Sequence, residues 1–260
     1  MPQTHSDHVH SQFDPQANAY LQSAVHASGP DLRRALELVS HAIPENRGSL
    51  LDIGCGAGHL SFALAPALER VVALDSSPHM LTTVTNEANA RRLRNIATCR
   101  AAAERLPFAA HEFDVVATRY SAHHWRNLPA ALGEMQRVVK PDGYVLIIDL
   151  EGEEDPLVDT HLQAMELLRD LSHVRDRAPS EWMRLLAAAG FTRVRHQSWP
   201  TRLEFHSWVT RMRTPADRVA VIRALQQQAA NDVTTALAIE EDGSFTARTG
   251  LWWGRAPTDA

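Results

Sequence analysis

The sequence predicts an α/β domain, a doubly wound and mostly parallel sheet of seven strands with helices on both faces. Three observations predict it. From residue 50 onward, short apolar runs alternate with helix-length segments, the order that sandwiches a parallel sheet between helix layers. The first run ends in a glycine-rich turn, Gly54-Cys55-Gly56-Ala57-Gly58, before a helix-forming stretch. The second run closes on an acid, Asp75, 21 residues beyond Gly54.

Each element has a local signal. Residues 1–12 are polar and dotted with histidine, and read as a flexible arm. Residues 13–45 read as an N-terminal helical cover, with one helix over 14–27 and another over 31–41 between Pro30 and Pro44. Leu50, Leu51 and Ile53 form the first strand, and a helix over 59–68 comes after the glycine turn. The second strand covers 71–75, and Pro78 opens a helix to about residue 92. Third and fourth strands are expected at 96–100 and 113–118. A helix over 129–139 and a Pro141-Asp142-Gly143 turn lead to the fifth strand, 144–150. Beyond an acidic loop at 151–155, helices are expected over 157–176 and 179–189. Gly190 then turns into a sixth strand at 191–197. The segment 206–236 is helical and rich in arginine, and the last strand is 244–253. That segment interrupts two strands that could pair directly, so it reads as an inserted lid, with a packing helix as the alternative. Residues 13–255 then form one domain, with 256–260 as a tail.

Composition narrows the function classes. A chain of 260 residues with 44% hydrophobic content is long enough for one large core. Two cysteines, Cys55 and Cys99, suit a reduced, cytoplasmic setting better than a disulfide scaffold. No run approaches the roughly 20 apolar residues of a membrane span, and the first thirty residues hold no signal-like apolar stretch. A net charge of −5 speaks against a partner that presents a phosphate backbone. Lys140 is the only lysine, the other basic residues being arginine. So general a bias locates no site.

A strand, a glycine-rich turn and a helix bring a ligand against backbone N–H groups, because glycine lets the chain turn tightly and the ligand approach closely. An acid at the end of the next strand, as at Asp75, can accept both hydroxyls of a ribose. The dinucleotide fingerprint requires glycine or alanine where His59 stands. Asp52, two residues before Gly54, would sit badly beside a pyrophosphate but suits a cationic group such as an ammonium. The spacing therefore favours a nucleoside ligand without phosphates.

The run from Leu50 to Leu60 resembles the first motif of the class I S-adenosylmethionine-dependent methyltransferases. Val72–Leu81 resembles the segment ending that family's second strand, and Ala103-Glu104-Arg105-Leu106-Pro107-Phe108 with Phe113–Val116 the stretch into its fourth. Arg119-Tyr120-Ser121-Ala122-His123-His124-Trp125 is similar to the segment after that strand in the type 11 subgroup, which holds ubiquinone and menaquinone methyltransferase relatives. The resemblance covers residues 12–150 and implies a Rossmann-like fold, S-adenosyl-L-methionine as cofactor and a methyltransferase activity. It also implies that Gly54, Gly56 and Gly58 cradle the methionine and ribose, Asp52 lies near the methionine ammonium and Asp75 holds the ribose diol. Ser76 and Met80 would border the adenine. Arg119 begins the loop whose backbone carbonyls meet the ammonium. Many relatives carry an aspartate where this chain has Ala102, so the resemblance implies that adenine is read here by the Ala103 backbone, by Glu104 or by water.

Methyl transfer from a sulfonium needs alignment above all, and a base only when the acceptor arrives protonated. His123 and His124 come directly after the fourth strand, at the end of the sheet where such folds bind ligands, and are the candidate catalytic residues. The alternative is that one packs under the loop and the other caps a helix. Trp125 is either a pocket wall or a core aromatic. Phe13–Tyr20 resembles a helix that closes over the cofactor in several family branches, making Tyr20 a third candidate, with His26 behind it. His5, His8 and His10 have no cysteine partner and read as solvated, so no metal site is expected. Cys55 reads as a small buried residue. Arg211, Arg213, Arg218 and Arg223 suggest either an anionic substrate or a solvated face. The reading is methyl transfer to a small-molecule acceptor at carbon, oxygen or nitrogen, with no nucleic acid or membrane partner. A protein that binds the cofactor without transferring methyl, and a nicotinamide oxidoreductase, remain as alternatives.

Overall fold

The computed structural model describes residues 4–13, 29–45 and 47–258. Helix α1 (His5–Phe13) and helix α2 (Pro30–Ala42) precede the sheet. The segment 1–12, expected as a loose arm, therefore contains most of a helix. The helix expected over 14–27, with Tyr20 and His26, lies outside the described residues.

Strand β1 (Ser49–Ile53) is buried along its whole length. After it come α3 (His59–Leu64), β2 (Arg70–Asp75), α4 (Pro78–Ala90), β3 (Ile96–Arg100) and β4 (Phe113–Arg119). A single 3-10 turn, Ala122–His124, leads to α5 (Leu128–Val138) and β5 (Val139–Leu150). Next are α6 (Pro156–Arg169), α7 (Pro179–Ala188), β6 (Thr192–Leu203), the insertion helices α8 (Phe205–Arg211), α9 (Ala216–Gln227) and α10 (Asn231–Ala236), and β7 (Phe245–Arg255).

The seven strands lie in the order β3-β2-β1-β4-β5-β7-β6. β1, β2, β3, β4 and β5 pair in parallel, and β7 runs antiparallel to both neighbours. The order reverses between β1 and β4, which opens a crevice at their carboxyl ends. Alternation of side chains gives each face its own core. Leu51, Ile53, Val116 and Ile147 pack with α5 and α7 through Leu132, Met135 and Trp182. Leu50, Val71, Val115 and Ile148 pack with α2 and α3 through Ala35, Val39 and Leu60.

β5 starts at Val139 and takes in the expected turn Pro141-Asp142-Gly143, and the helix expected over 59–68 ends at Leu64. Three further boundaries differ from the sequence expectation for local reasons. The helix expected over 157–176 ends at Arg169, because the Asp170 carboxylate accepts the Ser172 N–H at 2.8 Å and draws the backbone into a turn. β6 continues through Pro200 to Leu203; it is an edge strand, where the missing N–H costs no ladder bond. The helical stretch 206–236 breaks twice, first before Pro215, which precedes α9.

The insertion is present between β6 and β7, which pair directly as expected. Trp208, Val209, Ile222 and Val233 bury against Val158, Leu162 and Met165 of α6, forming a third cluster beside the sheet. Among the described residues no helix is long and apolar enough to cross a membrane.

Candidate active site

The β1–α3 turn is built by close approach. Gly54 has φ +65°, and a Cβ there would lie 1.9 Å from Ser121 Oγ in the loop after β4. Only glycine lets those two loops meet. Gly56 donates its N–H to Asp75 Oδ2 at 2.9 Å, and Ser77 donates its N–H to Oδ1 at 2.8 Å. Asp75 thus holds the turn after β1 to the start of α4. Gly58, at φ +90°, caps α3; a Cβ there would press on the Phe62 ring at 2.8 Å.

Asp52, next to last in β1, is fully buried. Its Oδ2 accepts the Ser61 N–H at 3.1 Å and the Ser61 hydroxyl at 2.7 Å, while Oδ1 has no hydrogen-bond partner among the described residues. Burial raises the Asp52 pKa from 3.8 to about 6, with the Ser61 bonds and Arg119 opposing. Arg119 ends β4 and donates from Nε to Asp31 Oδ2 at 2.6 Å, a buried pair joining α2 to the crevice. Its guanidinium lies over the Tyr120 ring, 4.6 Å from the centroid.

A cavity of about 850 Å³ occupies the crevice. Asp52, Gly54, Gly56, Asp75, Ser76, Met80, Ala103, Glu104 and Arg119 all line it, together with His59, His124 and Trp125. The structure thus brings together every residue expected at the cofactor except Gly58, which sits behind the wall. Ala102 lines it too. Trp125 is both wall and core, its Nε1–H donated to Ser121 Oγ at 3.1 Å. Burial pushes the Cys55 thiol well above its ordinary value, which disfavours the thiolate.

Of the two histidines, His124 lines this cavity. His123 lines a second, smaller one of about 80 Å³, shared with Leu150, Arg169, Thr201, Trp208 and Arg211. Phe13, Tyr120 and His124 border both. The Asp149 Oδ1 accepts from His123 Nδ1 at 2.5 Å, and Oδ2 from the His123 backbone N–H at 3.1 Å. Burial alone would lower the His123 pKa, but Asp149 overcomes it and lifts the ring to about 9. His124 moves the other way, to about 4, by burial and by the charge of His123, whose ring centre is 4.1 Å away. His124 Nδ1 is 3.0 Å from the Ser172 carbonyl. A carbonyl only accepts, so Nδ1 carries the proton and Nε2 the lone pair.

Helix α1 supplies residues that the sequence did not point to. His5, expected to be solvated, lines the large cavity, and its Nε2 is 3.0 Å from the His124 carbonyl. Phe13 meets the His124 ring edge-on, centroids 5.0 Å apart, and Gln12 donates to the Met212 carbonyl in the insertion at 2.9 Å. In the insertion only Arg211 of the four arginines lines either cavity. Arg218 bonds the Leu168 carbonyl, and Arg223 the Glu241 carbonyl and Gln226. Those two are half-buried and hold scaffold contacts, Arg213 is exposed, and none of the three lines either cavity.

A seven-stranded sheet of this order, with the glycine turn and acid at the reversal of strand order, defines a Rossmann-like class I methyltransferase fold. Comparison with known proteins agrees. Residues 51–147 match the family described as "Methyltransferase domain", type 11. The uncharacterized protein YafE of Escherichia coli is 44% identical over 194 residues, which span 75% of this chain and 94% of YafE. The uncharacterized methyltransferase YcgJ of Bacillus subtilis is 34% identical over 79% of this chain and 80% of its own length. The YcgJ crystal structure superposes with a TM-score of 0.81 and 29% identity, over 88% of this chain and 100% of that one. A demethylmenaquinone methyltransferase of Thermus thermophilus is 33% identical over 46% of this chain and 56% of its own. The chain belongs to the type 11 methyltransferase family.

Proposed function

We propose that this protein transfers a methyl group from S-adenosyl-L-methionine to a small-molecule acceptor. The observation that carries the reading is the large cavity lined by Asp52, whose buried Oδ1 has no partner among the described residues. A buried carboxylate oxygen without a donor is unfavourable unless a ligand supplies one. The methionine ammonium would do so, with Gly54 and Gly56 admitting the chain beside it and the Arg119 backbone closing the ammonium end. Asp75, fixed by the N–H groups of Gly56 and Ser77, would hold the ribose diol. Ser76, Met80, Ala103 and Glu104 would border the adenine. When bound, the cofactor supplies an electrophilic methyl on a sulfonium leaving group.

The chain itself orients and excludes water. Orientation of nucleophile and methyl contributes up to roughly 7–11 kcal/mol. His124, neutral with its lone pair on Nε2, accepts the hydrogen of the acceptor's reacting O–H or N–H and so aims the nucleophile. His123 acts through it, since its positive charge, held by Asp149, keeps His124 neutral. Tyr20 retains its proposed place at the methionine end. The acidic net charge and a cavity roofed by α1 favour a small molecule over a polymer.

The test is release of S-adenosylhomocysteine in the presence of a panel of phenols, enols, carboxylic acids and amines. Acceptor-dependent release that needs His124 is expected. Tight cofactor binding with no release from any acceptor class would favour a protein that uses the cofactor without transferring methyl.

A further inference from the structure

We propose that His123, Asp149 and Asp176 form a site for one divalent first-row cation of the Mn2+ or Zn2+ type. The three residues come from the turn after β4, the end of β5 and the loop after α6. A ring nitrogen of His123 and one carboxylate oxygen each of Asp149 and Asp176 lie within 4.8 Å of one another. Asp176 is 1% exposed, and neither of its carboxylate oxygens has a hydrogen-bond partner among the described residues. Its backbone, by contrast, is pinned on both sides, N–H to Gln163 Oε1 at 3.1 Å and carbonyl to Gln163 Nε2 at 2.8 Å. The carboxylate is therefore held in place with nothing to satisfy it.

The surroundings point to a cation. Asp149, Glu166, Asp170 and Asp176 are all buried here, and Glu166 Oε1 also lacks a partner. Opposing them are His123 and Arg169, the latter already bonded to Glu166 Oε2 and the Trp208 carbonyl. Arg177 lies near but pairs with Glu181. Buried carboxylates in excess of cations are neutralised either by protons or by a counter-charge among them, and the convergence of three ligand atoms here suits the latter.

His123 Nδ1 and Asp149 Oδ1 face each other at 2.5 Å across a shared proton. A cation taking that proton's place would be held by Nδ1 and by one oxygen each of Asp149 and Asp176. One imidazole with carboxylate oxygens is the mixed donor set of Mn2+ and Zn2+ rather than of Ca2+ or Mg2+. A cation there would tie three segments together beneath the His124 turn. It would also carry the positive charge that the His123 proton otherwise supplies. This proposal stands whether or not the methyl-transfer reading does.

The test uses full-length protein purified without a polyhistidine tag and stripped with chelator. It is titrated with MnCl2 while free Mn2+ is counted by electron paramagnetic resonance, with ZnCl2 as competitor. One saturable equivalent is expected. It should survive in the triple variant His5→Ala, His8→Ala, His10→Ala, and weaken by about 100-fold in Asp176→Asn. If Asp176→Asn fails to fold, the spin-echo spectrum of Mn2+ bound to the triple variant should still show nitrogen coupling from an imidazole. Absence of saturable binding would mean that a proton or buried water satisfies Asp176, and would overturn the proposal. So would binding unchanged in Asp176→Asn, binding lost with the three N-terminal histidines, or bound Mn2+ without nitrogen coupling.

Discussion

Replacing Asp52 by asparagine separates what the site costs the fold from what it does for the ligand. The Asp52 pKa rises from 3.8 to about 6 because burial opposes its charge. At about 1.36 kcal/mol per unit, the ionised side chain burdens the ligand-free fold by about 3 kcal/mol. The folded form holds the proton more tightly than the unfolded chain does. The burden is therefore complete above pH 6 and disappears as pH falls through the interval to 3.8. Asparagine carries no charge and keeps an acceptor for Ser61, so Asp52→Asn should stabilise the ligand-free protein at pH 8. A net gain of about 2 kcal/mol corresponds to a Tm rise of about 4–8 °C for a domain of this size. The gain should shrink at pH 5 and vanish near pH 4. The same variant should lose cofactor affinity by about 100-fold, since a neutral amide cannot pair with an ammonium. Scanning calorimetry at pH 8, 5 and 4, with isothermal titration of S-adenosylmethionine at pH 8, reads both effects. A variant equally destabilised at every pH, or one that binds the cofactor as wild type does, would refute the reasoning.

Other substitutions test separate parts of the site. Gly54→Ala drives a Cβ onto Ser121 Oγ at a backbone angle disfavoured for alanine, and should cost about 1–3 kcal/mol of stability with loss of cofactor binding in calorimetry. Arg119→Met strands the buried Asp31 carboxylate and should destabilise by about 3–5 kcal/mol in urea titration at neutral pH. His124→Ala should lower turnover by about 100-fold with the cofactor Kd unchanged, checked by rapid-mix assay beside calorimetry. Wild-type cofactor affinity should fall as pH drops below about 6, because protonated Asp52 no longer attracts the ammonium; titration calorimetry across that range reads it.

The parts of this molecule legible in the sequence are those encoded by neighbours in the chain. The first strand, its glycine turn and the acid after β2 lie within 26 residues, from Leu50 to Asp75, so spacing alone brings them together. Apolar alternation located all seven strands, since each is buried on both faces or pairs at an edge beside one that is. Residues 1–12 misled because α1 is polar and gains its contacts from His124 and Met212, far away in sequence. The sixth strand runs past its expected end at 197 to Leu203, and only the sheet order reveals that it is an edge on which Pro200 is tolerated. Asp149 read as part of a strand, and Asp176 as part of a helix. Their meeting with His123 depends on the turn at Asp170 that ends α6 early. Likewise Arg218 and Arg223 looked like a charged face until α6 and the loop at 241 were packed against them.

The central claim is that the crevice takes a nucleoside bearing a methionine. Isothermal titration of the purified protein with S-adenosylmethionine, S-adenosylhomocysteine and NAD tests it most directly. Saturable micromolar binding of the first two and none of the third is the predicted result. Binding of NAD alone, or of none of the three, would contradict it.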